Sequence, residues 1–119
     1  MRIAIDIDGT ITSSPTFFAR FIENQLLAGN EIHILTGGVA LPEEDLESPP
    51  YRIRQLKSYG ITSYTRLVQV TRRSQYPDIG VGKGEYCRNN RIDMIMEDDV
   101  HYIKEISRIS PDTQAFLIV

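Results

Sequence analysis

The chain has 119 residues, of which 41% are hydrophobic, a formal net charge of −3 and a single cysteine. This length predicts one domain, spanning residues 1–119, with enough apolar side chains to form its own core. The charge gives no general attraction to nucleic acid or to an anionic membrane, and no apolar run is long enough to cross a bilayer. Residues 1–8 carry carboxylates and do not resemble a signal peptide, and Cys87 has no partner for an internal disulfide. We therefore expect a soluble, cytoplasmic protein.

Strand and helix patterns alternate from one end of the chain to the other. Short runs rich in aliphatic and β-branched residues predict five strands, at 1–7, 31–35, 66–71, 92–96 and 115–119. Apolar residues at helical spacing predict helices from Pro15 to a stop at Gly29–Asn30, and at 51–59, 83–90 and 100–109. Polar segments at 42–50 and 72–82 predict loops. The alternation favours an α/β fold, a doubly wound, Rossmann-like sheet of five parallel strands with helices on both faces.

Two carboxylates lie at the end of the first predicted strand. Asp6 and Asp8 are two positions apart, so the period of a strand puts both on the same side, and Gly9 marks the turn that follows. Here the two side chains can converge on one ligand. Like charges brought together at a buried strand end are costly unless a cation or a substrate compensates them. The pair therefore predicts a metal-dependent site.

The ends of the other strands carry complementary groups. Ligands of an open parallel sheet bind beyond the carboxyl ends of its strands. The second strand ends in Thr36-Gly37, the fourth in Glu97-Asp98-Asp99, and Lys83 opens a helix that can reach the same edge. Carboxylate oxygens suit Mg²⁺, a hydroxyl and an ammonium suit phosphoryl oxygens, and Gly37 lets the backbone approach an anion.

These segments resemble the four motifs of the haloacid dehalogenase-like superfamily of phosphotransferases. The first motif, hydrophobic-Asp-x-Asp-Gly-Thr, is matched by Ile5-Asp6-Ile7-Asp8-Gly9-Thr10. Thr36 after the second strand matches the second motif, Lys83 at a helix start the third, and the acidic group after Met94-Ile95-Met96 the fourth. The resemblance covers essentially the whole chain.

The resemblance implies a Mg²⁺-dependent phosphomonoester hydrolase that works through an aspartyl-phosphate. Asp6 would be the nucleophile and Asp8 the acid and base. The metal would be held by Asp6, by Asp8 through its main-chain carbonyl, and by Asp98. Thr36, Gly37 and Lys83 would bind the phosphoryl group. Two further acids are secondary candidates for the metal, Glu97 and Asp99, and the latter also fits a helix N-cap.

The sequence does not identify the substrate. Many members of the family carry a cap domain, but only 27 residues (10–36) separate Gly9 from Gly37, and only 11 separate Thr71 from Lys83. Neither gap holds a cap, so we expect an open site, or one covered by a second copy in a homo-oligomer. A small phosphate ester, a nucleotide or nucleic-acid end, and a phosphoprotein all fit. Seven arginines either contact such a polyanion or are merely solvated: Arg52, Arg54, Arg66, Arg72, Arg73, Arg88 and Arg91.

Two other functions use the same residues. One is phosphoryl transfer to an acceptor other than water, which the lack of a cap disfavours. The other is a non-catalytic or receiver-like module that binds Mg²⁺ and a phosphoryl group. Receiver domains place their phosphoacceptor after a later strand, and Asp6 and Asp8 are both intact, so hydrolysis is the leading hypothesis.

Overall fold

The computed structural model describes residues 1–38, 44–72 and 78–119. Its strands are β1 (Arg2–Ile5), β2 (Glu31–Gly38), β3 (Leu46–Glu47), β4 (Arg66–Thr71), β5 (Met94–Glu97) and β6 (Gln114–Leu117). Its helices are α1 (Pro15–Leu27), α2 (Pro50–Ser58), α3 (Ile79–Asn89) and α4 (Val100–Ile109), with a 3₁₀ turn at Ile11–Ser13. Positions 42–43 and 73–77 of the two predicted loops, Arg73 included, lie outside the described residues. Within the described ranges, no helix has the length and apolar character that crossing a membrane requires.

The strands form one mixed sheet in the order β3-β4-β2-β1-β5-β6. All neighbouring pairs are parallel except β3 with β4, which is antiparallel. The fold is therefore α/β as predicted, but the prediction of a five-stranded, all-parallel sheet is wrong. The added strand falls inside the segment predicted to be a loop, and its two residues are too few to show the alternation that identifies a strand. It is held at the edge by pairing with β4 and by an ion pair between Glu47 and Arg66, 2.8 Å apart.

Helices cover both faces of the sheet. Successive strand residues point to opposite faces, so each strand contributes side chains to two separate cores. Ile3 and Ile5 of β1 belong to one apolar core with residues of α1 and α2, among them Phe18, Ile22 and Leu56. Ala4 belongs to a second core with residues of α3 and α4, among them Ile79, Cys87 and Ile106. The two layers of helices thus match the doubly wound arrangement that the sequence predicts.

Helix α3 begins earlier than predicted and contains Gly80 and Gly82, which the sequence pattern assigned to a loop. Asp78 caps it, accepting a hydrogen bond of 2.7 Å from the Gly80 backbone. A Cβ on Gly80 would lie 3.1 Å from the Cα of Tyr102 in α4, and one on Gly84 would lie 3.0 Å from the Cβ of Ile109. These glycines therefore let α3 pack closely on α4. As a consequence, Lys83 does not open the helix but lies within it, fully buried.

The topology creates one switch point at the carboxyl edge of the sheet. The chain runs from β1 outward through β2 to β4, and then crosses to the other side of β1 to form β5 and β6. Loops leaving β1 and β5 therefore diverge to opposite faces. Sheets of this type bind ligands in the crevice at such a reversal.

Candidate active site

A cavity of about 220 Å³ opens at this switch point. Seven of its eight lining residues are ones that the sequence singles out, and the eighth is Tyr102: Asp6, Asp8, Gly37, Lys83, Glu97, Asp98, Asp99 and Tyr102. They come from the ends of β1, β2 and β5 and from helices α3 and α4. The structure thus brings together side chains that lie up to 96 positions apart in the sequence.

The deepest part of the cavity is a buried cluster of two carboxylates and one ammonium. Lys83 Nζ donates to Asp6 Oδ1 at 2.9 Å and also to Glu97 Oε2. All three side chains are at least nine-tenths buried. The second oxygen of Glu97 accepts from the backbone N–H groups of Asp98 and Asp99, at 3.2 and 3.3 Å. Glu97 is therefore tied into the fold, while the Oδ2 of Asp6 accepts a long hydrogen bond of 3.4 Å from the Thr10 hydroxyl.

Burial dominates the electrostatics of this cluster. Desolvation raises the pKa of Asp6 to about 6 and that of Glu97 to about 7, although the nearby charge of Lys83 acts to lower both. Burial acts to lower the pKa of Lys83, but the charges of Asp6 and Glu97 outweigh it and raise that pKa. One ammonium thus faces two buried carboxylates. The cluster carries an excess of negative charge that a cation would neutralise.

Three carboxylates are placed to hold a metal ion. One oxygen from each of Asp6, Glu97 and Asp98 lies within 4.8 Å of the other two. Oxygen donors in this number suit Mg²⁺ or Ca²⁺. Asp99 takes a different role, since its side chain caps α4 by accepting from the Tyr102 backbone at 3.1 Å. The Asp8 carboxylate is outside the three-acid group.

Gly9 allows Asp98 to reach this position. Its φ of +82° is a conformation that residues with a Cβ rarely adopt. A Cβ on Gly9 would also lie 2.0 Å from Oδ2 of Asp98. The turn after β1 therefore needs glycine for its backbone and for the space that the carboxylate occupies.

Thr36 contributes a hydroxyl with no partner. It is fully buried near the end of β2, and its Oγ1 makes no hydrogen bond among the residues that the structure describes. Buried hydroxyls are normally satisfied, so an unpaired one is a candidate ligand donor, although Thr36 itself is not among the residues that line the cavity. Gly37 follows it at the cavity wall, where a Cβ would lie 2.8 Å from Ile79. The glycine therefore permits close packing of β2 against the start of α3.

Sequence reasoning missed the pairing of Arg52 with Asp8, because it left Arg52 among seven arginines that either contact a polyanion or are solvated. This side chain of α2 is buried, and its guanidinium pairs with both oxygens of Asp8, at 3.1 and 2.7 Å. The available signal was its spacing: Arg52 is four residues before the core residue Leu56, which puts both on the buried side of one helix. Tyr102 was also missed, and its ring lies 5.1 Å from the ammonium of Lys83.

In chemical terms, the cavity combines acidic oxygen donors with a buried ammonium, and the buried hydroxyl of Thr36 belongs to the residue before Gly37 of its lining. No protein-family model matches the chain, and no curated protein is significantly similar to it. The arrangement can bind a cation through its carboxylates next to an anion held by Thr36 and Lys83. Asp6 belongs to both halves, because it contacts Lys83 and lies within the three-acid group.

Proposed function

We propose that the protein is a Mg²⁺-dependent phosphomonoester hydrolase that works through an aspartyl-phosphate on Asp6, as its resemblance to haloacid dehalogenase-like phosphatases implies. One observation carries the proposal. The Asp6 carboxylate is buried at a strand end, in contact with Lys83 and grouped with the acidic oxygens of Glu97 and Asp98. The unpaired hydroxyl of Thr36 on the neighbouring strand supports an anion site beside it.

The acidic group fits Mg²⁺ by its donor chemistry. Asp6 and Asp98 would hold the ion with the main-chain carbonyl of Asp8, and Glu97 is the second candidate because Lys83 already occupies one of its oxygens. When bound, Mg²⁺ supplies positive charge that lets an ionised carboxylate approach a phosphate dianion. Asp99 is disfavoured as a ligand because its carboxylate caps α4.

The residues divide the reaction between them. An oxygen of Asp6 attacks phosphorus, and the ester P–O bond breaks while Asp8 donates a proton to the leaving oxygen. Asp8, now a carboxylate, removes a proton from water, whose oxygen attacks phosphorus and releases phosphate from Asp6. Thr36 and Lys83 donate hydrogen bonds to the transferring phosphoryl oxygens and offset their charge.

A phosphate-release assay with matched variants tests the proposal. The wild type should release phosphate from an aryl phosphate only with Mg²⁺, and Asp6→Asn and Asp8→Asn should abolish turnover. Asp112→Asn is the control, because this exposed acid precedes β6 at the opposite edge of the sheet. No turnover of any ester in a broad panel would refute the hydrolase. Stable labelling of Asp6 by a phosphoryl donor without turnover would favour the receiver-like alternative instead.

The substrate panel also separates the remaining alternatives. It should span sugar phosphates, nucleotides, phosphorylated oligonucleotide ends and phosphopeptides, with and without alcohol acceptors that would reveal phosphoryl transfer. We include in the proposal an open, cap-less site, or one that a second copy covers, and a cytoplasmic location. Sedimentation of the active protein distinguishes the monomer from the homo-oligomer.

A further inference from the structure

Arg52 is a buried cation whose counter-charge is the exposed carboxylate of Asp8, the proposed acid and base. Its side chain is 10% exposed on helix α2, whereas that of Asp8 is 62% exposed on the turn after β1. Of the acids in the described part of the chain, Asp8 is the one that forms an ion pair with it. Its other contacts are neutral: the Gln55 side chain at 2.8 Å, the Gly37 carbonyl at 3.4 Å and the Tyr51 ring, whose centroid lies 5.2 Å from the guanidinium carbon.

The paired state conflicts with the role proposed for Asp8. Both carboxylate oxygens are engaged by the guanidinium, so Asp8 has to release at least one of them and take up a proton from solvent before it can protonate the leaving oxygen. Because Arg52 is packed in a helix and Asp8 is exposed on a turn, Asp8 is the partner that moves. Its departure leaves a buried guanidinium without counter-charge, and the Nε of Arg52 already lacks a partner among the residues that the structure describes. An unpaired buried charge is strongly unfavourable.

We propose that Arg52 binds a second anionic group of the substrate, a carboxylate or a phosphate, in place of the Asp8 carboxylate. The inference rests on the proposed function, since it assigns Asp8 to the ester oxygen. Two features support it: the guanidinium is already aligned for a two-oxygen anion, and its neighbours Asp8 and Gly37 both line the cavity. The second anion must lie close to the ester oxygen, because Asp8 reaches both positions. The substrate class is therefore a short phosphate monoester with an acidic group within a few bonds of its ester oxygen.

A matched set of esters tests the inference by kinetics. Carboxymethyl phosphate and ethane-1,2-diol bisphosphate carry the second anion, and 2-hydroxyethyl phosphate is the neutral reference. The wild type should prefer at least one anionic ester by about 10- to 100-fold in kcat/KM, as charge-assisted hydrogen bonds imply. Arg52→Gln should remove this preference, and Arg52→Lys should retain part of it. Arg54→Gln, an exposed arginine on the same helix, should leave the ratio unchanged.

A binding measurement keeps this inference separate from the proposed reaction. With Mg²⁺ present, phosphonoacetate should bind more tightly than ethylphosphonate by calorimetry, and Arg52→Gln should equalise the two, with its melting curve as the check of folding. If the preference exists but no ester is hydrolysed, the second anion site stands and the hydrolase proposal fails. If the wild type hydrolyses esters without preference, or if the preference survives in Arg52→Gln and Arg52→Lys, the role of Arg52 is refuted. The ester that is preferred identifies the anion as a carboxylate or a phosphate.

Discussion

Replacing Asp6 by Asn should stabilise the metal-free protein at neutral pH, although it removes the proposed nucleophile. Burial raises the pKa of Asp6 from 3.8 to about 6, so between these values the folded state binds a proton more tightly than the unfolded state. The contribution of Asp6 to stability is therefore fully present below pH 3.8 and is lost as the pH rises through 6. A shift of about two pKa units corresponds to about 3 kcal/mol. Asn resembles the protonated acid and avoids this cost, while Glu97 remains as a partner for Lys83.

Denaturant unfolding in a metal chelator, from pH 4 to 8, measures this effect. The free energy of unfolding of Asp6→Asn should match that of the wild type near pH 4 and exceed it by up to about 3 kcal/mol above pH 7. The difference between the two proteins cancels the titration of groups that do not interact with Asp6, including His101, whose pKa is raised by its hydrogen bond to Asp78. Asp112→Asn should show no such pH-dependent gain. The reasoning is refuted if Asp6→Asn is no more stable than the wild type at pH 8, or if the difference does not grow with pH.

Three further predictions follow from single contacts. Gly9→Ala should lower Mg²⁺ affinity in a metal titration, because its Cβ would displace Asp98. The control is Gly29→Ala, which has a similar φ of +86° and open space around it. It should lower the free energy of unfolding only by the backbone strain of about 1–2 kcal/mol. Native Cys87 should resist thiol reagents, because burial raises the pKa of its thiol to about 12, and labelling faster than unfolding would contradict this. Asp99→Ala should lose a helix cap, costing about 1 kcal/mol in thermal unfolding, and a large loss of Mg²⁺ affinity would instead make it a ligand.

Much of the fold could be predicted because its elements carry strong local patterns. The strand at 66–71 and the helix at 100–109 have the bounds that the sequence predicts, since each is a run of apolar residues at a clear period. The start of α3 could not be predicted in this way. Glycines ordinarily weaken a helix, and the close approach of α4, whose Tyr102 Cα would lie 3.1 Å from a Cβ at position 80, explains why the first turn of α3 contains Gly80. Tertiary packing, which a local pattern does not contain, decided that boundary.

The two acids that predicted the site show the same difference between a local sequence pattern and tertiary packing. A strand period would put Asp6 and Asp8 on one side, but β1 ends at Ile5, so the period no longer governs the turn in which both lie. They line one cavity with different environments: Asp6 turns inward to Lys83, and Asp8 turns outward to Arg52. The motif therefore indicated where the carboxylates are, whereas the partners of each come from residues 77 and 44 positions away. This separation suits the two proposed roles, because a nucleophile needs a fixed position and an acid–base group must serve first the leaving oxygen and then the attacking water. If Arg52 does hold the resting position of Asp8, the selectivity of the site is decided by a contact that no local motif encodes.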